Sequence, residues 1–209
     1  MSSALRAQDA ARLHDCLAGG GVAVFPTDTV YGICCDPDNE QAAQRMYEMK
    51  GRPRRRASAV MYFDLAPALD ALDDLPDSER AALQALLPGP VTVLLENRTH
   101  RFAAACRKDP GTLGLRVPRL PERLVALASV SRPVMQTSAN MSGEPDARAL
   151  AEVPQQLREG ADVVLDGGEL PGVPSTVVDL REFDAQRRWH VLREGALQTS
   201  VVKQKLASL

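Results

Sequence analysis

The sequence predicts an α/β fold, a single domain in which helices flank a twisted mixed sheet. Short apolar runs alternate with segments of helical periodicity along the chain, and this is the pattern that such folds produce. The last two apolar runs follow each other as in a hairpin, so antiparallel pairs are expected beside parallel ones. No linker rich in proline, glycine or serine interrupts the 209 residues. We therefore expect one domain over residues 1–209, with its core at about 10–195 and a short C-terminal tail at 196–209.

Helices are predicted where apolar residues recur at helical spacing and the run is bounded by an N-cap residue or by a Gly or Pro stop. These signals place helices at residues 8–18, 40–49 and 78–87, with others around 122–129 and 147–158. Strands are predicted from short apolar runs between turn residues. They lie at residues 22–25, 59–63, 91–95, 113–117, 134–137, 163–165, 176–180 and 190–193.

Composition argues against a protein that binds nucleic acid over its whole surface. The chain has 25 Lys and Arg against 27 Asp and Glu, a formal net charge of −2, and aromatic residues make up only 4%. Broad attraction to a polyanion and base stacking on aromatic platforms are therefore both disfavoured. A local basic patch is still compatible with this composition.

The N-terminal residues MSSALRAQDAARLHDCL are interrupted by charges too often for a signal peptide, and no long apolar run follows them. We expect a cytoplasmic protein without a membrane span. The cysteines lack the paired spacing of a zinc site, so we expect reduced thiols that pack mainly as small hydrophobic side chains. There are four of them: Cys16, Cys34, Cys35 and Cys106.

The common catalytic signatures are missing from the sequence. It contains no G-x-x-x-x-G-K-[ST] loop, no G-x-G-x-x-G turn and no G-x-S-x-G elbow. The three histidines do not have the spacing of metal ligands. The sequence thus favours neither a P-loop, nor a dinucleotide site, nor a metal held by the protein.

Polar side chains cluster in two segments that follow predicted strands, the position at which α/β sheets usually bind ligands. Residues 26–32 carry the hydroxyls of Thr27, Thr29 and Tyr31. Local turn and cap bonding is an alternative role for such groups. The second segment, residues 136–143, is denser in donors and acceptors, which favours a ligand loop. Its candidate side chains are Thr137, Ser138, Asn140 and Ser142.

Residues 50–56, Lys-Gly-Arg-Pro-Arg-Arg-Arg, place five cations within seven residues. Pro53 stops the preceding helix and holds Arg52 in extended backbone. Lys50 and Arg52 suit a phosphate or carboxylate, one as a point charge and the other as a bidentate fork, although Lys50 also complements the end of its own helix. The remaining arginines are expected at a solvated rim, with contact to RNA or phosphate as the second choice: Arg54, Arg55 and Arg56.

Two further arginines lie inside or at the end of apolar strands. They are Arg116 in Gly-Leu-Arg-Val-Pro and Arg193 in Val-Leu-Arg-Glu-Gly. A buried guanidinium needs a partner. That partner is either a structural carboxylate or a substrate anion.

The order of seven motifs resembles the YrdC-type threonylcarbamoyl-AMP synthase family in its short, single-domain bacterial form. The motifs are PTDTVYG, KGRP, PGPVT, GLRVP, TSANMSG, PSTVVDL and LREG, and the match runs from about residue 10 to 195. The resemblance implies a YrdC-like α/β domain with a concave basic face. It also implies a nucleotidyltransferase that uses ATP, L-threonine and bicarbonate and releases threonylcarbamoyl-AMP and pyrophosphate.

The same resemblance implies a place in tRNA modification, in which partner proteins transfer the threonylcarbamoyl group to an adenosine beside the anticodon. Mg²⁺ would arrive with the ATP phosphates. Direct contact of this chain with tRNA or double-stranded RNA is left open.

The family pattern also implies roles for individual residues. Lys50 and Arg52 would face the phosphates and the carbamate as the catalytic pair. The implied ATP contacts beyond that pair are Ser138, Asn140, Ser142, Ser175 and Arg193. The implied threonine contacts are Thr29, Tyr31, Arg116 and Thr137.

Two alternatives accompany this interpretation. An RNA-binding module that uses the same basic face is favoured by the three arginines after Pro53 and disfavoured by the sparse aromatics and the net acidic charge. A paralogue that lost this activity, or that handles another carbamoyl adenylate, is favoured by the segment Arg-Ala-Ser-Ala at residues 56–59, because the family usually has Pro-Leu there. We do not expect the C-terminal domain of the longer family branch.

Overall fold

The computed structural model describes residues 4–51, 53 and 56–209. Within these residues, nine strands form one mixed sheet in the order β7-β1-β2-β6-β3-β5-β4-β8-β9. The strands are β1 (Ala23–Pro26), β2 (Tyr31–Cys35), β3 (Ala59–Met61), β4 (Val91–Glu96), β5 (Thr112–Arg116), β6 (Val134–Ser138), β7 (Val163–Val164), β8 (Thr176–Asp179) and β9 (His190–Arg193).

Helices flank this sheet, and the mixed α/β class predicted from the sequence is confirmed. They are α1 (Ala7–Ala18), α2 (Glu40–Met49), α3 (Leu65–Ala71), α4 (Asp77–Leu86), α5 (Ala103–Cys106), α6 (Gln155–Gly160), α7 (Phe183–Gln186) and α8 (Thr199–Leu206), with 3-10 helices at Glu122–Ser129 and Leu150–Glu152. In the part of the chain that the structure describes, no helix is both long enough and apolar enough to cross a membrane.

The central strands pair in both directions. β3 lies parallel to β5 and antiparallel to β6, while β4 lies antiparallel to β5 and parallel to β8. The predicted late hairpin is the antiparallel pair of β8 and β9. Because the sheet mixes parallel and antiparallel neighbours, strand ends of both polarities meet at each edge of the sheet, and a ligand site at one carboxyl edge is not the only possibility.

Side chains alternate between the two faces along the central strands, as the two-residue period of a strand requires. In β5, Leu113 and Leu115 are buried in the hydrophobic core, whereas Thr112, Gly114 and Arg116 point to the opposite face. The core therefore lies under one face of the middle of the sheet. The other face is open for a site.

All eight predicted strands are present within two residues of their expected bounds, but β2 was not predicted. Its sequence Tyr-Gly-Ile-Cys-Cys contains a central-strand glycine, which usually weakens a strand. Gly32 is needed because a Cβ at this position would lie 2.9 Å from the Phe25 ring. Cys34 and Cys35 in the same strand are buried free thiols, as is Cys106, and this confirms the expected packing of the cysteines.

The helix predicted around residues 147–158 is divided in two. Pro154 separates the 3-10 turn Leu150–Glu152 from α6 and occupies the N-cap position of α6. Proline lacks the N–H that a continuous helix would need there. The segment 122–129 is helical as predicted, but with 3-10 geometry.

The segment after residue 195, which the sequence predicts as a short tail, forms α8 and joins the core. Val202 and Leu206 are buried in the same apolar cluster as the rest of the core, and α8 packs on α4. Lys205 donates from Nζ to the carbonyl of Ala85 at 2.6 Å. The folded unit therefore extends about ten residues beyond the expected end of the core.

We predict that Leu206→Ala lowers the free energy of unfolding by about 2–3 kcal/mol, because it removes a buried side chain and leaves a cavity. Leu206 is 6% exposed, whereas Leu209 is 47% exposed, so Leu209→Ala is the control and should change stability by less than about 0.5 kcal/mol. Urea unfolding followed by circular dichroism measures both. Equal effects of the two substitutions would contradict the assignment of α8 to the core.

Candidate active site

A cavity of about 400 Å³ lies over the open face of the central strands. Its floor follows the strand register: Ala59 is paired with Gln136, and Gly114 is paired with Leu94. Every second residue of β4 and β5 reaches it, so the strands that build the core with one set of side chains line the cavity with the other. A cavity of this size is within the range of small-molecule sites.

Five of the residues selected from the sequence line this cavity. They are Arg116, Thr137, Ser138, Ser175 and Arg193. The structure thus brings together residues from β5, β6, β9 and the segment before β8. Several polar lining residues were missed by the sequence reasoning: Ser58, Thr92, Asp109, Thr112, Gln136 and Asp146.

Arg116 ends β5 at the cavity and is held by the segment between β1 and β2. Its Nη2 donates to Asp28 Oδ1 at 2.5 Å and to Thr29 Oγ1 at 2.6 Å. The side chains of the ion pair are 4% and 5% exposed. Burial lowers the pKa of Arg116, and the adjacent Asp28 carboxylate opposes that shift. The partner of this arginine within the protein is therefore a structural carboxylate, one of the two possibilities that the sequence left open.

The Thr29 hydroxyl is directed at this arginine. It lies 3.0 Å from the hydroxyl of Thr27, and both threonines are buried. Thr27 in turn donates to the carbonyl of Val30 at 2.7 Å. The Thr29 hydroxyl therefore accepts a hydrogen bond from Arg116, and its direct contact with threonine stays a prediction.

Lys50 connects the end of α2 to the loop after β6. Its side chain is 1% exposed, and its ammonium donates to the carbonyl of Ser138 and, at 3.0 Å, to Asn140 Oδ1. Ser138 Oγ donates to the same amide oxygen at 2.7 Å. The ammonium therefore lies two hydrogen bonds from a hydroxyl that lines the cavity.

The loop after β6 is fixed by further bonds to its own backbone and to α2. Asn140 donates from Nδ2 to the carbonyl of Glu144, and the backbone N–H of Ser142 donates to the carbonyl of Lys50 at 3.2 Å. The Ser142 side chain is exposed. Two motifs about 90 residues apart in the chain, KGRP and TSANMSG, thereby meet at one edge of the cavity.

Ser175 and Arg193 meet at the other edge. Arg193 donates from Nη2 to the carbonyl of Ser175 at 2.8 Å. The hydroxyls of Ser175 and Thr92 are 2.8 Å apart. This arrangement leaves hydroxyl, amide and guanidinium groups on opposite sides of one cavity.

Tyr31 does not fit the threonine contact that the sequence predicts. Its side chain is fully buried, and its hydroxyl donates to Gly168 O at 2.9 Å and to Asp166 Oδ1 at 3.1 Å. It also accepts from the N–H of Gly167 at 3.0 Å. Burial raises the pKa of Tyr31 to about 12. The hydroxyl anchors the segment after β7, because β2 begins at Tyr31 and turns this side chain away from the cavity.

Arg52, Arg54 and Arg55 lie outside the described residues, so their predicted roles stay predictions. Arg56 is exposed, and its carbonyl accepts from the Tyr47 hydroxyl at 2.6 Å. The described residues that line the cavity include two arginines and two aspartates. The concave basic face expected from the sequence also stays a prediction.

The fold and the cavity define an α/β domain with a small-molecule site on one face of a mixed sheet. The family model Sua5/YciO/YrdC, described as telomere recombination, matches residues 15–195, and the chain belongs to this family. A threonylcarbamoyl-AMP synthase of Pseudomonas aeruginosa is 35% identical over 182 residues, which are 86% of this chain and 95% of the relative.

Solved structures agree with this assignment. P. abyssi Sua5 complexed with L-threonine has a TM-score of 0.82 at 26% identity, over 96% of this chain and 58% of that protein. E. coli YciO has a TM-score of 0.80 at 23% identity and covers 96% of both chains, a likeness of fold. The resemblance identified from the motifs is confirmed.

We predict that Tyr31→Phe destabilises the protein by about 1–3 kcal/mol at neutral pH, because it leaves the buried N–H of Gly167 without its acceptor. The raised pKa adds a pH signature. The neutral phenol stabilises the fold fully below pH 10, and this contribution is lost as the pH rises toward about 12. Urea unfolding between pH 8 and 11 should therefore show a steeper alkaline loss of stability in the wild type than in Tyr31→Phe. Parallel pH profiles would contradict the buried position of the hydroxyl.

Proposed function

We propose that this protein condenses ATP, L-threonine and bicarbonate into threonylcarbamoyl-AMP and releases pyrophosphate. One observation carries the proposal: cationic and hydroxyl side chains from five of the family-type motifs converge on a single cavity. The names of the relatives support the same activity. The P. abyssi structure with L-threonine supports an amino-acid site in this fold.

In the proposed complex the threonine carboxylate lies against Arg116, with Thr137 beside it. A guanidinium recognises a carboxylate through parallel N–H donors. Arg116 is suited to this because its position is fixed by Asp28 and Thr29 before any ligand arrives. Binding then costs little side-chain ordering.

The nucleotide takes the edges formed by Ser138, Asn140, Ser175 and Arg193, with Ser142 on the adjoining turn. Lys50 contributes positive charge below Ser138, and Arg52, which lies outside the described residues, is proposed as its partner on the phosphates. Threonine's amine and bicarbonate first form a carbamate and water. A carbamate oxygen then forms a bond to the α-phosphorus of ATP, while the bond from that phosphorus to the bridging oxygen breaks and pyrophosphate leaves.

Both reactants in this step are anions. Fixed cations that neutralise their repulsion and hold them in line can supply most of the acceleration. The residues proposed for this role are Lys50, Arg52 and Arg116. The proposal requires no histidine acting as a general base.

Mg²⁺ is proposed as a companion of the ATP phosphates. Such an ion needs only one or two protein carboxylates as ligands, because phosphate oxygens and waters complete its coordination. Asp146 and Asp109 line the cavity, so the donor set fits this use. When bound, the ion would offset phosphate charge during the displacement.

The wider context is also proposed. Partner proteins would transfer the threonylcarbamoyl group to tRNA, and the enzyme would work in the cytoplasm where that tRNA is found. Direct binding of tRNA or double-stranded RNA is the weaker candidate, because aromatic residues make up only 4% of the chain and its formal net charge is −2.

The test is an omission assay. With wild-type protein, pyrophosphate release and formation of the AMP-linked product should require ATP, threonine and bicarbonate together. Lys50→Ala should lower turnover by about 100-fold or more, since it removes a fixed positive charge next to the reacting phosphates. Lys203→Ala, at an exposed position on α8, is the matched control and should keep wild-type turnover.

Pyrophosphate release that does not depend on threonine would exclude this function. Wild-type turnover in a correctly folded Lys50→Ala protein would instead exclude the proposed role of the lysine. Circular dichroism and the unfolding midpoint establish folding of each variant.

A further inference from the structure

Asp28 is a buried acid beside a site whose proposed ligands each carry an anionic group. It belongs to the PTDTVYG segment, and its side chain is 5% exposed. One oxygen lies 2.5 Å from Arg116 Nη2, and the other accepts from the backbone N–H of Arg119 at 3.0 Å. Asp28 therefore fixes both the guanidinium and the backbone that follows β5.

The guanidinium is held from one side. Among the described residues, the side-chain hydrogen bonds of Arg116 all leave from Nη2, toward Asp28, Thr29 and more distantly Thr27. Its Nε is enclosed by protein and has no partner in the described part of the chain. Arg116 also lines the cavity, so the part of the guanidinium that these bonds do not hold is suited to an acceptor that arrives with a ligand.

We propose that Asp28 is a positioning residue for amino-acid recognition. It holds Arg116 by Nη2 and so keeps the guanidinium directed at the carboxylate of the amino-acid substrate. This inference rests on the proposed function. It adds a residue that does not touch substrate and acts only through Arg116.

Two consequences distinguish this role from a general structural one. Without Asp28, Arg116 loses its ion-pair partner and one of the bonds that fix Nη2, so threonine recognition suffers more than the nucleotide contacts, which use other side chains. An amide at position 28 retains an oxygen acceptor of the same shape for Nη2. Orientation should therefore largely survive Asp28→Asn but not Asp28→Ala.

The experiment compares the KM for threonine with the KM for ATP in Asp28→Ala and Asp28→Asn. We expect the threonine KM of Asp28→Ala to rise about tenfold or more, with the ATP KM within about twofold of wild type. Asp28→Asn should stay within about threefold for both substrates. Asp36→Ala, which removes a carboxylate paired with Arg132 at 3.0 Å outside the cavity lining, is the matched control and should leave both constants unchanged.

A second arm tests whether the effect passes through Arg116. In an Arg116→Gln background, Asp28→Ala should change the threonine KM by less than about twofold further, because the group that it positions is gone. Effects that multiply in the double variant would overturn the proposal. So would an unchanged or lowered threonine KM in folded Asp28→Ala.

The outcomes separate this inference from the proposed function. A wild-type protein without threonine-dependent turnover removes the function, and with it this inference. Wild-type turnover with a threonine KM that is insensitive to Asp28→Ala removes the inference alone. If Asp28→Ala does not fold, Asp28→Glu tests the proposal, because it keeps the charge but moves the carboxylate by one methylene. We expect its threonine KM to rise about fivefold while its ATP KM stays unchanged. An unchanged threonine KM would contradict the proposal.

Discussion

The site depends on one constraint: a cation that is buried in the protein requires oxygen atoms as hydrogen-bond acceptors. Arg116 is buried with Asp28, and Lys50 is buried with Ser138 and Asn140. An unpaired charge in such a place would cost several kcal/mol, so each cation fixes the loop that supplies its oxygens. The loop after β1 and the loop after β6 are shaped by this requirement. The cations and the groups that would contact ligands are thus ordered by the same bonds.

The sheet makes this arrangement possible because its middle strands have one face in the core and one face at the cavity. Leu113 and Leu115 pack inward, while Gly114 and Arg116 between and beyond them face outward. Substitutions on the inner set would act on stability and those on the outer set on binding. The two functions are separated by a single residue along the strand, and a one-residue shift in register would exchange them.

Much of the fold could be predicted because its signals are local, whereas the errors come from long-range packing. The eight predicted strands have clear apolar runs, but β2 carries Gly32, whose need is visible only once Phe25 is placed against it. Because the sequence predicts no strand at β2, it places Tyr31 in a ligand loop instead of at the start of a buried strand. Asp28 is not among the residues predicted from the sequence, because its pairing with Arg116 spans 88 residues and has no local signal. Thr92, in contrast, has a local signal in the alternation of side chains along β4.

The charge balance of the cavity limits how such a site can select its ligands. Two arginines and two aspartates line it among the described residues, so the formal charges of these four side chains cancel. Recognition then depends on where each cation is held and which of its donors is left for a ligand. A carboxylate beside an arginine offsets part of its positive charge, and it also holds the guanidinium in one orientation. For a reaction between two anions, a fixed orientation of the cation is more useful than a larger net charge. The cations must stabilise the charge of the transition state at defined positions without binding the substrates equally tightly.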